Sequence, residues 1–271
     1  MSRSPDMRFE AEKAWRLLTA PLRPLPTFVI AGAPKCGTST LYDCLAAHPR
    51  VRRGARKEPT NFVHYPGSRL RAAMNYPIQW PGADFVVGDG SVEYFTNPDA
   101  PANVRDVVPR ARLIFLFRDP VKRAWSDYQM FRKFGSDGAD FSTTVRAAMR
   151  WMDDPDVLPL VDAAARQAWH PARYVLCGWY ARAVERWLSV FPREQCLFLL
   201  SEEFFADPAG VAREAMRHIG VPDRGVASPA VAREGGYAEK MPAETEAELR
   251  AFFAPRNREL AKLLGRELPW V

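Results

Sequence analysis

Three features of the sequence predict an α/β fold, a central parallel sheet with helices on both faces. Strand-sized apolar runs alternate with helix-sized amphipathic segments. The runs are apolar throughout instead of alternating, as strands buried on both faces are. Asn97-Pro98, Asp119-Pro120 and Asp207-Pro208 each pair an N-cap residue with a proline suited to the first helical position. A length of 271 residues suits one large domain better than two small ones.

Residues 1–26 form an N-terminal extension, with a short amphipathic helix over 9–18 and then a proline-spaced approach to the core; residues 27–271 form the single domain. Residues 27–31 (TFVIA) are a buried strand, and 38–47 the helix after it. A short strand covers 85–87, and Asn97-Pro98 opens a helix towards Val108. Residues 112–117 (RLIFLF) are the clearest buried strand, and Asp119-Pro120 starts a helix to about Phe131. Helices are expected over 142–149 and 174–190, a strand over 195–200, and a helix from Asp207-Pro208 to Ile219-Gly220. Residues 244–264 are helical with a break at Pro255 and a C-cap at Gly265. The weakly patterned stretches 50–84, 132–171 and 221–243 are candidate substrate loops. Their aromatics Tyr76, Trp80, Trp151 and Trp169 are assigned to core packing.

The net charge of +6 and a pI near 9.3 favour an anionic ligand or surface. Lys and Arg are scattered, with no basic run interleaved with aromatics, so nucleic acid is not the expected partner. Cys36, Cys44, Cys177 and Cys196 show no metal-ligand spacing, and no metal site is expected. No apolar run is long enough for a transmembrane segment, and no secretory signal precedes the domain, so a cytoplasmic, reducing location is expected.

The most informative stretch is Gly32-Ala33-Pro34-Lys35-Cys36-Gly37-Thr38-Ser39-Thr40, between a buried strand and a helix. Backbone N–H groups and the positive end of the helix dipole make such a turn an anion site. It differs from the nucleoside-triphosphate loop G-x-x-x-x-G-K-[ST], whose lysine position holds Thr38; the lysine comes three residues earlier, as Lys35. A lysine within the turn suits one phosphate and the group attached to it. A second motif follows RLIFLF. Arg118 ends that strand, where open α/β sheets bind ligands, and Ser126 lies in the second turn of the next helix. A guanidinium with a hydroxyl clamps a terminal phosphate. Taken alone, Arg118 also fits a strand-end salt bridge; Asp119 is an N-cap, and Arg123 and Tyr128 are structural.

Pro34-Lys35-Cys36-Gly37-Thr38-Ser39 resembles the P-K-x-G-T-[ST] loop of sulfotransferases that use 3′-phosphoadenosine 5′-phosphosulfate (PAPS). Arg118 to Tyr128 resembles their R-D-P-x-x-R-x-x-S-x-Y segment for the 3′-phosphate. The likeness is nearest to the heparan-type glucosaminyl sulfotransferases and their bacterial relatives. It continues through Lys57-Glu58-Pro59, the stretch from Gly88 to the pair Tyr94-Phe95, Tyr180 to Trp187, Glu202 with Asp207-Pro208, and the ending Leu264-Gly265-Arg266 to Trp270.

The resemblance implies a P-loop-like sulfotransferase fold, PAPS as donor, 3′-phosphoadenosine 5′-phosphate (PAP) as product, no metal, and a hydroxylated small-molecule or glycan acceptor. It implies that Lys35, Gly37, Thr38, Ser39 and Thr40 hold the 5′-phosphosulfate, with Lys35 also catalytic, and that Arg118 and Ser126 hold the 3′-phosphate. Glu58 falls at the general base and Lys57 beside the sulfuryl oxygens, although a Lys-Glu pair in a loop is by itself an ordinary solvated pair. Lys240 is the one candidate in a short, weakly basic loop, residues 233–241, that the family places over the 3′-phosphate. The chain departs from the heparan enzymes at Gly90, where they carry lysine, and at Thr60 and Val63, where they carry histidine and aspartate. Those changes make heparan a doubtful acceptor and leave His64 as an alternative base. Two other classes compete: a P-loop kinase or nucleotidase, which needs lysine at Thr38, and a non-catalytic PAPS-binding module, which does not need Glu58.

Overall fold

The computed structural model describes residues 7–135, 139–167, 170–223 and 239–271. Five parallel strands form one sheet in the order β2-β3-β1-β4-β5: β1 Phe28–Gly32, β2 Val51–Arg52, β3 Val86–Asp89, β4 Arg112–Phe117 and β5 Cys196–Leu200. β1 is central and wholly buried, and β4 is buried from its second residue onward. Phe115 and Phe117 of β4 meet Phe95, Tyr180 and Phe198, and Phe115 also meets Trp187. This aromatic layer joins the sheet to the helices covering it. The chain builds β2 and β3 on one side of β1, then crosses to β4 and β5 on the other. The carboxyl end of β1 therefore lies where the strand order reverses, the place at which open α/β sheets bind ligands.

The helices are α1 Met7–Leu18, α2 Thr38–Ala46, α3 Asn61–His64, α4 Arg69–Ala73, α5 Ala100–Val107, α6 Pro120–Lys133, α7 Phe141–Asp153, α8 Leu158–Ala164, α9 Arg173–Leu176, α10 Tyr180–Leu188, α11 Ser201–Ala206, α12 Pro208–His218 and α13 Ala243–Leu264. Among the described residues, no helix is long and apolar enough to cross a membrane. Two expected caps are present. The Asp119 carboxylate accepts from the N–H groups of Val121 and Lys122, and that of Asp207 from Gly210.

The local expectations need four corrections. The helix expected at Asn97-Pro98 begins at Ala100, because the Asn97 side chain accepts from the Asp99 N–H at 3.0 Å and closes a turn first. The helix expected over 174–190 is two, α9 and α10. At Gly178, between them, a Cβ would stand 2.8 Å from the Phe253 ring and 3.1 Å from Pro120, so the break lets α13 and α6 close on bare backbone. The break expected at Pro255 is absent; α13 runs through it. Ala251 and Pro255 are exposed, and water can serve the carbonyl that the proline leaves without a donor. Residues 132–171 are not a substrate loop as expected. Their α7 and α8 carry a second core in which Phe141, Val145 and Val161 pack with Tyr128, Tyr174, Leu249 and Phe253.

Residues 50–84 hold β2, α3 and α4. Of the aromatics assigned to packing, Tyr76 is buried, but Trp80 is 66% and Trp151 38% exposed. Trp169, Arg233 and most of 221–243 lie outside the described residues.

Candidate active site

The turn between β1 and α2 is a left-handed cradle. Lys35 has φ 67° and Gly37, just before α2, φ 90°. Glycine meets the second at little cost; Lys35 accepts the strain at a position facing the site. Ser201, at the end of β5, donates to the Cys36 carbonyl at 2.6 Å and holds the turn from below. Thr38 is buried at the start of α2, while Ser39 is exposed and Thr40 half-buried.

Lys35 extends to α6, where its Nζ lies 3.4 Å from the Met130 sulfur. Burial pulls its pKa below the usual lysine value; Asp127 opposes this, and Arg123, Arg118 and Arg173 add to it. The charges of the second motif, Arg118, Arg123 and Asp127, therefore act on the loop lysine of the first. Two tethers join the motifs. Tyr180 donates to the Arg118 carbonyl at 2.9 Å and lies 3.7 Å from the Cys36 thiol. Glu202 accepts the Asp119 N–H at 3.0 Å. Beneath them, the fully buried Arg123 donates to Asp127 at 3.0 Å, and Arg173 joins the same carboxylate at 3.1 Å. Sequence reasoning left Arg123 as merely structural and found no partner for it; Asp127, one helical turn along, was the available signal.

Arg118 is half-buried at the end of β4, and Ser126 is buried on the second turn of α6. Lys240 is exposed beside Glu239, which pairs with Arg132 near the far end of α6.

Lys57 and Glu58 come to the same cradle from the loop after β2. The Lys57 ammonium donates to Ser39 Oγ at 2.7 Å and to Glu58 Oε1 at 2.6 Å. Gly90 makes room for this. Its N–H donates to the Lys57 carbonyl at 3.2 Å, and a Cβ there would stand 3.2 Å from Tyr42 and 3.5 Å from Lys57 Cε. The space beside Gly90 is thus bounded by Tyr42 and the stem of Lys57.

A buried network fixes the Glu58 loop. The Ser91 hydroxyl accepts the Thr60 N–H at 3.0 Å, and both the N–H and hydroxyl of Ser91 donate to Asp89, at 2.9 and 2.5 Å. Tyr94 donates to the other Asp89 oxygen at 2.9 Å and accepts from the Phe62 N–H at 3.4 Å. Burial pushes the Asp89 carboxyl up to about 6, against the pull of these hydrogen bonds. Glu93, which sequence reasoning missed, is a half-buried carboxyl raised by burial and by Glu58, and lowered by His64 and Arg173. Its only sequence signal was its place just before the aromatic pair. His64 is exposed at the end of α3 and lines a cavity of about 520 Å³ together with Arg56, Pro59 and Thr60, the neighbours of Glu58 on either side.

A glycine turn at the carboxyl end of the central parallel strand, with its lysine inside the turn and a second cationic strand end beside it, defines an α/β transferase of the P-loop-like class. The chain belongs to the sulfotransferase family: the sulfotransferase domain matches residues 25–233. It is 27% identical over 283 residues to bifunctional heparan sulfate N-deacetylase/N-sulfotransferase 4 of Mus musculus, covering 91% of this chain and 31% of that protein. It is 25% identical over 316 residues to human carbohydrate sulfotransferase 15, covering 91% and 54%. With heparan sulfate glucosamine 3-O-sulfotransferase 3A1 of Mus musculus it shares 26% identity over 290 residues, covering 94% and 66%. The chain thus spans about a third to two thirds of the length of these relatives. The crystal structure of a sulfotransferase from Alicyclobacillus acidocaldarius superposes with a TM-score of 0.74 at 28% identity, covering 91% of this chain and 99% of that one.

Proposed function

We propose that this protein transfers a sulfuryl group from PAPS to a hydroxyl of a carbohydrate or similarly hydroxylated acceptor, releasing PAP. One observation carries the proposal: a single ammonium, Lys57, bonds both a hydroxyl of the phosphate loop and the carboxylate of Glu58. The same side chain thus joins the proposed base to the turn proposed to hold the leaving phosphate, and a transfer between bound partners needs both close together.

The cradle fits a phosphosulfate. Lys35 is partly desolvated, with three guanidiniums and the single carboxylate of Asp127 acting on it, a balance of charge that favours an anion in the turn. PAPS supplies an activated sulfuryl group on a good leaving phosphate. Lys35 and the N–H groups at the start of α2 neutralise the charge that gathers on that phosphate. Lys57 faces the sulfuryl oxygens. Glu58 takes the acceptor's proton while the acceptor oxygen bonds to sulfur and the bond from sulfur to the phosphate oxygen breaks. Arg118 and Ser126 hold the 3′-phosphate. Thr38 at the kinase lysine position weighs against a kinase, and Glu58 at the cradle weighs against a module that only binds PAPS.

The test separates Lys35 from Glu58. Lys35→Ala should depress turnover strongly and also loosen PAPS binding. Glu58→Gln keeps shape and polarity but removes the base, so it should leave PAP affinity nearly unchanged and lower turnover about 10²–10⁴-fold. A folded Glu58→Gln enzyme with parental turnover would remove Glu58 from the mechanism and transfer the base role to His64.

A further inference from the structure

The cavity lined by Arg56 and Pro59, which flank Glu58 in the chain, though not by Glu58 itself, has two unlike walls. One is the loop that carries the base, through Arg56, Thr60 and His64; the other is α1, through Glu12, Lys13 and Arg16, with Arg71 of α4 also lining it. Helix α1 lies before the residues that match the sulfotransferase domain. It and the segment after it are tied down. Arg16 donates to the Met74 carbonyl at 3.4 Å, the Arg23 guanidinium bonds Thr19 Oγ1 at 2.8 Å and also the Tyr76 carbonyl, and the Gln79 N–H donates to Leu22 at 2.9 Å.

The charge in this space is one-sided. Lys13, Arg16, Arg56 and Arg71 face a single carboxylate, Glu12, which bonds Arg16 at 2.8 Å. Among the described residues, Lys13, Arg56 and Arg71 make no ion pair, and Arg71 instead lies over the Tyr65 ring at 4.8 Å. Lys13, Arg56 and Arg71 thus line one recess whose carboxylate, Glu12, is already paired with Arg16, and their charges are available to an anion. The volume, about 520 Å³, is that of a small-molecule site.

We infer that this cavity is an acceptor subsite selecting molecules that carry a carboxylate or phosphate apart from the hydroxyl to be sulfated, and that α1 is its selective wall. The inference rests on the sulfotransferase proposal, since it is the place of Glu58 that makes the cavity the acceptor's. The anion sits against Lys13, Arg56 and Arg71, and the sugar or other hydroxylated body extends towards Glu58. The donor's anions occupy the Lys35 and Arg118 side, so donor and acceptor charges are held by separate sets of cations.

The test uses two matched pairs of probes titrated calorimetrically into the PAP-loaded protein. They are p-nitrophenyl β-D-glucuronide against the β-D-glucoside, and glucose 6-phosphate against glucose. In at least one pair the charged member should bind about fivefold or more tighter, an advantage that salt erodes. A preference confined to one pair tells carboxylate from phosphate as the anion read. The double variant Lys13→Ala with Arg56→Ala changes exposed side chains only and should bring the two members of that pair level, with PAP affinity unchanged. Equal or undetectable binding of both members in both pairs, or a preference that survives in the double variant, would overturn the inference. Failure of the wild-type protein to bind PAP would be a separate result, against the sulfotransferase proposal itself.

Discussion

In the proposed donor site, Arg118 and Ser126 divide the work of holding the 3′-phosphate unequally. Arg118→Ala removes a charge-assisted contact and should weaken PAP binding by about 1.5–3 kcal/mol; Ser126→Ala removes a neutral hydroxyl and should cost about 1 kcal/mol. Calorimetric titration of PAP checks both, and parental affinity in both variants would refute this placement of the 3′-phosphate. Asp89 makes a prediction about pH. Its folded pKa, about 6, lies above the ordinary 3.8, so between those values the folded protein binds more protons than the unfolded. Stability therefore falls as pH rises through that window, by about 3 kcal/mol for a shift near two units, and the full cost remains at neutral pH. Asp89→Asn lacks this term. Urea denaturation of the two proteins should give a stability difference that moves towards the variant from pH 4 to 7; a constant difference would mean that Asp89 does not titrate there.

Helix α13 shows what a pattern does and does not reveal. Pro255 is a breaker by its chemistry, yet the helix continues, with Ala251 and Pro255 both exposed so that water can serve the freed carbonyl. Pro255→Ala restores that hydrogen bond and should raise stability by about 1–3 kcal/mol in urea titration; a loss would show that the proline holds a bend the fold needs. The elements legible in advance were those with local causes: the buried strands β1, β4 and β5, and the caps Asp119 and Asp207. The break at Gly178 was not legible, because its cause is Phe253, far along the chain. Nor was β2, two residues long, which is a strand only because β3 pairs with it. The site divides in the same way. The glycine turn and Lys35 stand out in the sequence, whereas the meeting of Lys57 with Ser39, and the support of Glu58 by Asp89 through Ser91, join segments that no local pattern connects.

The strand order gathers these pieces. β1 delivers the phosphate turn at its carboxyl end, β4 on one side delivers Arg118, and Asp89 at the end of β3 on the other side supports the loop of Glu58. Ser201, the first residue of α11 and next after β5, lies beneath the turn. The residues proposed for donor and acceptor thus converge on the reversal point of the sheet from opposite sides of β1. The proposed donor site takes one 5′-phosphate and one 3′-phosphate, and not a metal-bridged triphosphate. The direct measurement is the thermal midpoint of the wild-type protein with PAP and, separately, with ATP and Mg²⁺. A ligand that binds only the folded state raises the midpoint. The account predicts a clear rise with PAP and little or none with ATP and Mg²⁺; the reverse order, or a rise with ATP that depends on Mg²⁺, would contradict it.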